Sequence, residues 1–312
     1  MNRLRVLLKW ILFAAVLGYV CRHGYRLWNQ SDVRTSLNAA SAAWLTASAA
    51  VYLIAWLPSV WFWRRLMHAL GGRVTFRDAA RAYYCGHLGK YIPGKAMVLV
   101  IRSAMVKDRG CAAHTAAITA AYETLTMMGT GLVVGVLLAP LREWVASDKE
   151  TLSAVVAVIV VAAALPFIAR LLSWIAMKTT PGDSQPGAEQ LFIPTRLVAA
   201  GCAAFVLSWA LQGLSLGMTL HAVAGVPIEI ANWPMWTGAM ALSTSLGFAV
   251  LFAPAGLGVR EAILLGVLNG QPGIDAHAAV AATVLSRVVS FLSEIVISMI
   301  LFTTGGPKKI LE

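Results

Sequence analysis

Apolar runs long enough to cross a lipid bilayer dominate this chain, and they decide its fold before any other feature. A hydrocarbon core of about 30 Å takes about 20 apolar residues in a helix. Six stretches are candidates, at about 6–20, 39–63, 112–138, 152–177, 197–222 and 276–303, and two further apolar stretches lie at 83–101 and 235–270. Hydrophobic residues make up 59% of the 312 and charged residues 12%, far more apolar surface than a soluble domain can hide. The expected fold class is an all-α polytopic membrane protein, a single integral membrane domain over 1–312 with about six full spans. No loop exceeds about twenty residues, which leaves no room for a separate soluble catalytic domain.

The N-terminus carries Arg3, Arg5 and Lys9 ahead of an apolar run, as a signal peptide does. The run ends in GYVCRHG with no small-x-small cleavage site, so an uncleaved signal anchor is expected. Orientation follows from Lys and Arg, which concentrate in short cytoplasmic loops. With the N-terminus inside, the inner segments are the first nine residues, loops 64–82, 102–110 and 178–196, and the tail 304–312; together they hold fifteen of the 25 Lys and Arg. The outer loops hold five: Arg22, Arg26, Arg34, Arg142 and Lys149. Both termini are therefore expected in the cytoplasm and the chain in the cell membrane.

This distribution has a consequence for the segment YYCGHLGKYIPGKAMVLVI. It lies between two basic loops that both belong inside, so 83–101 is expected to enter and leave on one side as a re-entrant hairpin. Pro93 and Gly94 supply the bend, since proline removes a helix donor and glycine tolerates unusual backbone angles. The stretch 235–270 repeats the device, with Pro254, Gly256 and Gly258 breaking the helix before Arg260 and Glu261. HTAAITAAYETLT from His114 and HAAVAATVLSRVVS from His277 match downstream. The two hairpins enter from opposite sides, so 1–140 and 150–305 read as an inverted-topology repeat, which in transporters places the substrate site near the midplane where broken helices meet. A full crossing by 235–253 stays open as an alternative.

YIPGK at 91–95 followed by Arg102, the Glu of AYETLT, PAGLGVREAILL at 254–265 and the Ser-Arg pair at 286–287 resemble the transmembrane, flippase-like region of lysylphosphatidylglycerol synthetases and its stand-alone relatives. The likeness covers nearly the whole chain from about residue 40. Many members read PGGLG where this chain has Ala255, and carry an acidic residue soon after the first Pro-Gly, where this chain has Ala96, Met97 and Val98. The resemblance implies the lipid-moving half of such proteins without the lipid-making half.

Ionisable residues inside apolar segments cost about 2.5–3.5 kcal/mol on insertion scales and mark functional sites or partners. Outside the loops lie Lys90, Lys95, Arg170, Arg260, Arg287, Glu123, Glu261 and Glu294. Arg170 sits near a cytoplasmic end and can snorkel. Adjacent residues point apart on a helix, so Arg260 and Glu261 do not simply neutralise each other. Glu261 is expected at the start of the returning helix, where the dipole favours an anion, pairing across the repeat interface with Arg287 or Lys95. Arg260 is then left to meet a phosphate at a helix N-terminus, with Lys95 and Arg102 as its counterparts in the first hairpin. Glu123 and Glu294 hold these bases or receive a cationic head group. The plain alternative is that these are structural ion pairs joining the halves.

Other features read as packing. Gly213 with Gly217, and Gly131 with Gly135, are small-xxx-small helix faces; Trp10, Trp28, Trp144, Trp233 and Trp236 fit an aromatic belt. The His and Cys residues lack metal-ligand spacing, and no cofactor is implied. Basic loop 64–82 suits inner-leaflet anionic lipid rather than nucleic acid. The expected partner is a membrane lipid with a phosphate-containing head group, an anionic or aminoacylated phospholipid or a lipid-linked precursor, moved between leaflets through a charged midplane cavity by a transporter-like protein rather than an enzyme. A lipid-linked glycosyl or phosphoryl transferase, and a non-catalytic subunit of a lipid or cell-envelope enzyme, stand as the other readings.

Overall fold

The computed structural model describes residues 40–92, 96–138, 193–250, 254–269, 271 and 273–304, and every regular element among them is helical. The expected spans 6–20 and 152–177, together with Trp10, Trp28, Trp144 and Arg170, lie outside the described residues.

The other four expected spans are long apolar helices. α1 (Ala42–Ile54) and α2 (Leu57–Ala69) form one stretch of 28 residues, broken where Pro58 enters the first turn of α2, a position that needs no N–H. α5 (Ala113–Leu138), α6 (Thr195–Ala224) and α9 (Ala276–Thr303) are 26, 30 and 28 residues long. At 1.5 Å per residue each exceeds about 30 Å of hydrocarbon. Local signals set their ends. Gly225 closes α6 at φ 66°, a left-handed angle suited to glycine, and the Asp275 carboxylate accepts from Ala278 N at 2.7 Å to start α9.

Between α2 and α5 the chain folds into a helical hairpin. α3 (Phe76–His87) begins at Thr75, whose hydroxyl accepts from Asp78 N. A 3₁₀ turn, Leu88–Tyr91, follows, and α4 (Ala96–Lys107) returns. The arms pack closely because Gly89 has no side chain: a Cβ there would lie 2.7 Å from Val98 N. At the open end Arg73 N donates to Gly110 O at 2.6 Å, so the chain leaves and returns at one end of the bundle.

The hairpin is longer than the expected 83–101, and loop 64–82 shrinks to the few residues between α2 and α3. FRDAARA, residues 76–82, reads as loop because of its charges, yet Ala79 and Ala82 are fully buried on one face of α3. The cations leave by the other side, where Arg81 Nε donates to Leu301 O at 3.0 Å and Arg77 to Thr304 O at 3.3 Å. These bonds cap the C-terminal carbonyls of α9 and place that end beside the mouth of the first hairpin. Arg102, expected in a loop, lies inside α4 and is 3% exposed.

The second hairpin consists of α7 (Trp233–Ala249), a 3₁₀ turn at Pro254–Gly256 and α8 (Val259–Leu268). Its open end lies with the start of α9: Leu268 and Ile274 pack in one cluster with Leu216, Leu220 and Val226 from the end of α6. α1 also begins there, since Ser41 N donates to Ala222 O at 3.0 Å. The two hairpins therefore open toward opposite ends of the bundle, and their tips touch.

The small-residue faces pack as expected. A Cβ on Gly131 would lie 2.3 Å from Ser245 Oγ and one on Gly135 2.8 Å from Leu242, fixing α5 against α7. Gly213 and Gly217 bring α6 to the same depth against Thr237 and Trp236. Trp236 is consequently a fully buried core residue and not part of a belt. Cys85 and Cys111 are buried. On α9 the exposed side chains include Phe291, Leu292, Val296, Met299 and Ile300, an apolar face suited to lipid.

Candidate functional site

Where the hairpin tips meet they enclose a cavity of about 350 Å³. The first hairpin contributes Lys90 and Arg102, the second contributes Ala255, Gly256 and Arg260, and α5 contributes Glu123. Among the described residues three cations and one carboxylate thus line it.

Glu123 is 1% exposed and accepts on both oxygens: Tyr83 Oη donates to Oε1 at 2.9 Å, and Arg102 Nη1 to Oε2 at 2.9 Å, with Thr124 Oγ1 at 3.3 Å. The Arg102 guanidinium also lies over the Tyr83 ring, 3.7 Å from its centroid, with Trp63 at 5.5 Å. Arg102 is held there because Gly86 leaves it space: a Cβ would sit 2.5 Å from Arg102 Cγ. A buried charge is tolerable when paired and hydrogen-bonded, and this one is both.

Glu294, on α9, is the second buried carboxylate, again 1% exposed. Lys90 donates to its Oε1 at 2.5 Å and Tyr91 to its Oε2 at 3.0 Å, and the Tyr52 hydroxyl also donates to Oε1. The cluster joins α1, the tip of the first hairpin and α9. Lys90, 23% exposed, reaches the cavity while Glu294 lies behind it.

The second tip is built from unusual backbone. Ala255, Gly256 and Gly258 have φ of 51°, 70° and 84°, the left-handed region that costs about 1–2 kcal/mol for a residue with a Cβ. Arg287 donates to Ala255 O at 3.1 Å and holds the turn. Glu261 caps α8 by accepting from Gly258 N at 2.6 Å and forms an ion pair with Arg287. The turn and the first residues of α8 carry Arg260 inward. It is 6% exposed and fits beside Gly247, where a Cβ would approach Arg260 Cβ to 3.2 Å. Its Nη2 lies 3.8 Å from Met240 Sδ, and Nε has no partner among the described residues. Among the described residues no carboxylate pairs with Arg260.

The expected site residues therefore divide. Arg102, Glu123 and Arg260 line the cavity together, while Glu261, Arg287 and Glu294 lie around it. Glu261 pairs with Arg287 as expected, but within the second half of the chain rather than across the halves, because both flank the same turn. Among the described residues an ion pair across the halves joins Lys90 to Glu294. Arg102 is not an unpaired counterpart of Arg260, since Glu123 neutralises it. Lys95, Pro93 and Gly94 lie outside the described residues. Tyr52, Tyr83 and Tyr91 were not anticipated; their spacing carries no signal, because each finds its carboxylate through the tertiary fold.

Against known proteins, residues 6–298 match the family described as the lysylphosphatidylglycerol synthase TM region. The chain belongs to that family. The match covers nearly all of the sequence, including both hairpins, and supports a lipid-related role in a membrane. No curated protein matches this chain.

Proposed function

We propose that this protein moves a membrane lipid with a phosphate-bearing head group between leaflets. The observation that carries the reading is the cavity at the meeting point of two oppositely opening hairpins, with Arg260 in its wall lacking a carboxylate partner among the described residues. A guanidinium so placed presents donors in the fork geometry that matches phosphate. The halves act as inverted repeats: 1–140 contributes α1–α2, a re-entrant hairpin and α5, and 150–305 contributes α6, a second re-entrant hairpin and α9. Rocking of one half against the other opens the cavity to each leaflet in turn, and the Lys90–Glu294 contact is remade in each cycle. The head group crosses in the cavity while the acyl chains stay in lipid, and no bond is made or broken.

The end that carries the mouth of the first hairpin faces the cytoplasm of the cell membrane in this reading. Arg65, Arg73, Arg77 and Lys107 are exposed there, as a surface in contact with inner-leaflet anionic lipid requires.

Reconstitution tests the proposal. Vesicles containing the purified chain are expected to render labelled phosphatidylglycerol in the inner leaflet accessible to an external quencher, and Arg260→Ala is expected to abolish this at unchanged expression. Failure to move any head group would favour the partner-subunit reading, and product formed from a lipid-linked donor would favour the transferase.

A further inference from the structure

We propose that the cavity selects lipids whose head group carries a phosphate and no ammonium. This rests on the translocation reading and goes beyond it by assigning the head-group chemistry. An ammonium group in a low-dielectric site requires a free carboxylate, a set of open acceptors or an open aromatic face. Among the described residues around the cavity every carboxylate has an internal partner, and a single hydroxyl, Thr244 Oγ1, is buried in the wall without one.

Each carboxylate is committed to internal donors. Both oxygens of Glu123 accept, one from Tyr83 and the other from Arg102 and Thr124. Both oxygens of Glu294 accept, one from Tyr52 and Lys90 and the other from Tyr91. Glu261 is held by Arg287 and by Gly258 N. Releasing any of these strands a buried cation or a buried hydroxyl. Two of the aromatic rings in the wall are already engaged: Trp56 is packed by His87 at 4.2 Å, Tyr52 at 6.0 Å and Tyr83 at 6.2 Å, and the Tyr83 face is covered by the Arg102 guanidinium; the Phe248 ring also lies in the wall. An entering ammonium would also meet Lys90, Arg102 and Arg260 in one wall.

A phosphodiester meets the opposite situation. Its charge faces Arg260, which lacks an anionic partner among the described residues, inside a field made positive by the lining. The volume of about 350 Å³ falls at the low end of the range of about 300–1,000 Å³ for small-molecule sites, sufficient for a compact head group.

The test is binding by the full chain in detergent, measured by native mass spectrometry and thermal shift. The probes are short-chain phosphatidylglycerol, a polyprenyl phosphate, phosphatidylethanolamine and aminoacylated phosphatidylglycerol. At least one of the two ammonium-free lipids is expected to bind about tenfold or more tighter than either amine-bearing lipid, a gap of about 1.4 kcal/mol; which one does so identifies the phosphodiester or phosphomonoester source. Arg260→Gln is expected to erase the preference, and Arg260→Lys, which keeps the charge, to retain it in part. Equal or tighter binding of an amine-bearing lipid overturns the inference. So does a preference unchanged by Arg260→Gln, or no binding by any probe. A chain that binds with the expected preference but moves no lipid in vesicles overturns translocation and leaves the head-group assignment standing.

Discussion

The two hairpins place the same residue type in the same cavity and treat it in opposite ways. In the first, Arg102 lies against the Tyr83 ring and is paired with Glu123. In the second, Arg260 is almost as deeply buried, yet among the described residues its hydrogen-bond contact is the weak acceptor Met240 Sδ at 3.8 Å. The difference separates anchoring from availability. An arginine paired with a carboxylate and stacked on a ring holds helices in place, and one left without a counter-charge keeps its capacity for a ligand. Burial alone does not distinguish them; the partners do.

Five variants break or sharpen this contrast, and each is read by thermal unfolding in detergent. Glu123→Ala strands the Arg102 charge and is expected to cost about 3–5 kcal/mol. Arg260→Ala removes no ion pair and should leave stability within about 1 kcal/mol of the parent; equal losses for the two would erase the distinction. Replacing the first pair together, Arg102→Met with Glu123→Leu, is expected to recover most of the loss, because no buried charge then remains. Next in size, Tyr83→Phe removes one donor to Glu123 and should cost about 1.5–3 kcal/mol. The smallest effect is a gain: Ala255→Gly relieves the left-handed angle at the second tip and should stabilise by about 0.5–1 kcal/mol after the added freedom of the unfolded chain is counted. No change would mean that the bond from Arg287 to Ala255 O already offsets the strain.

Much of the frame was legible because lipid solvation leaves few choices. The length of the apolar runs yielded the four described spans. Two basic loops flanking one apolar stretch imply a chain that returns to its starting side, and the fold joins Arg73 and Gly110 at one end of the bundle. The pairing of Glu261 with Arg287 was also within reach, since a helix start attracts an anion and few cations lie nearby. The limits have equally physical causes. The first seven residues of α3 read as loop because Arg77 and Arg81 dominate their composition, and only the fold reveals that these cations serve the end of α9. Glu294 was not matched to Lys90, 204 residues away, because which face of α9 meets which hairpin is set by packing. Arg102 looked like a second phosphate contact for the same reason, its neutralisation by Glu123 depending on how α4 and α5 pack.

The central claim is that the two hairpins enter the membrane from opposite faces and bring their tips together. The direct measurement is labelling of single cysteines by a membrane-impermeant maleimide in a cysteine-free background, in intact cells and in inside-out vesicles. Arg73→Cys and Lys107→Cys, at the mouth of the first hairpin, are expected to react only from the cytoplasmic face, and Ile230→Cys and Asn269→Cys, at the mouth of the second, only from the other. Labelling of positions 73 and 107 from opposite faces, or of all four from one face, would contradict the account.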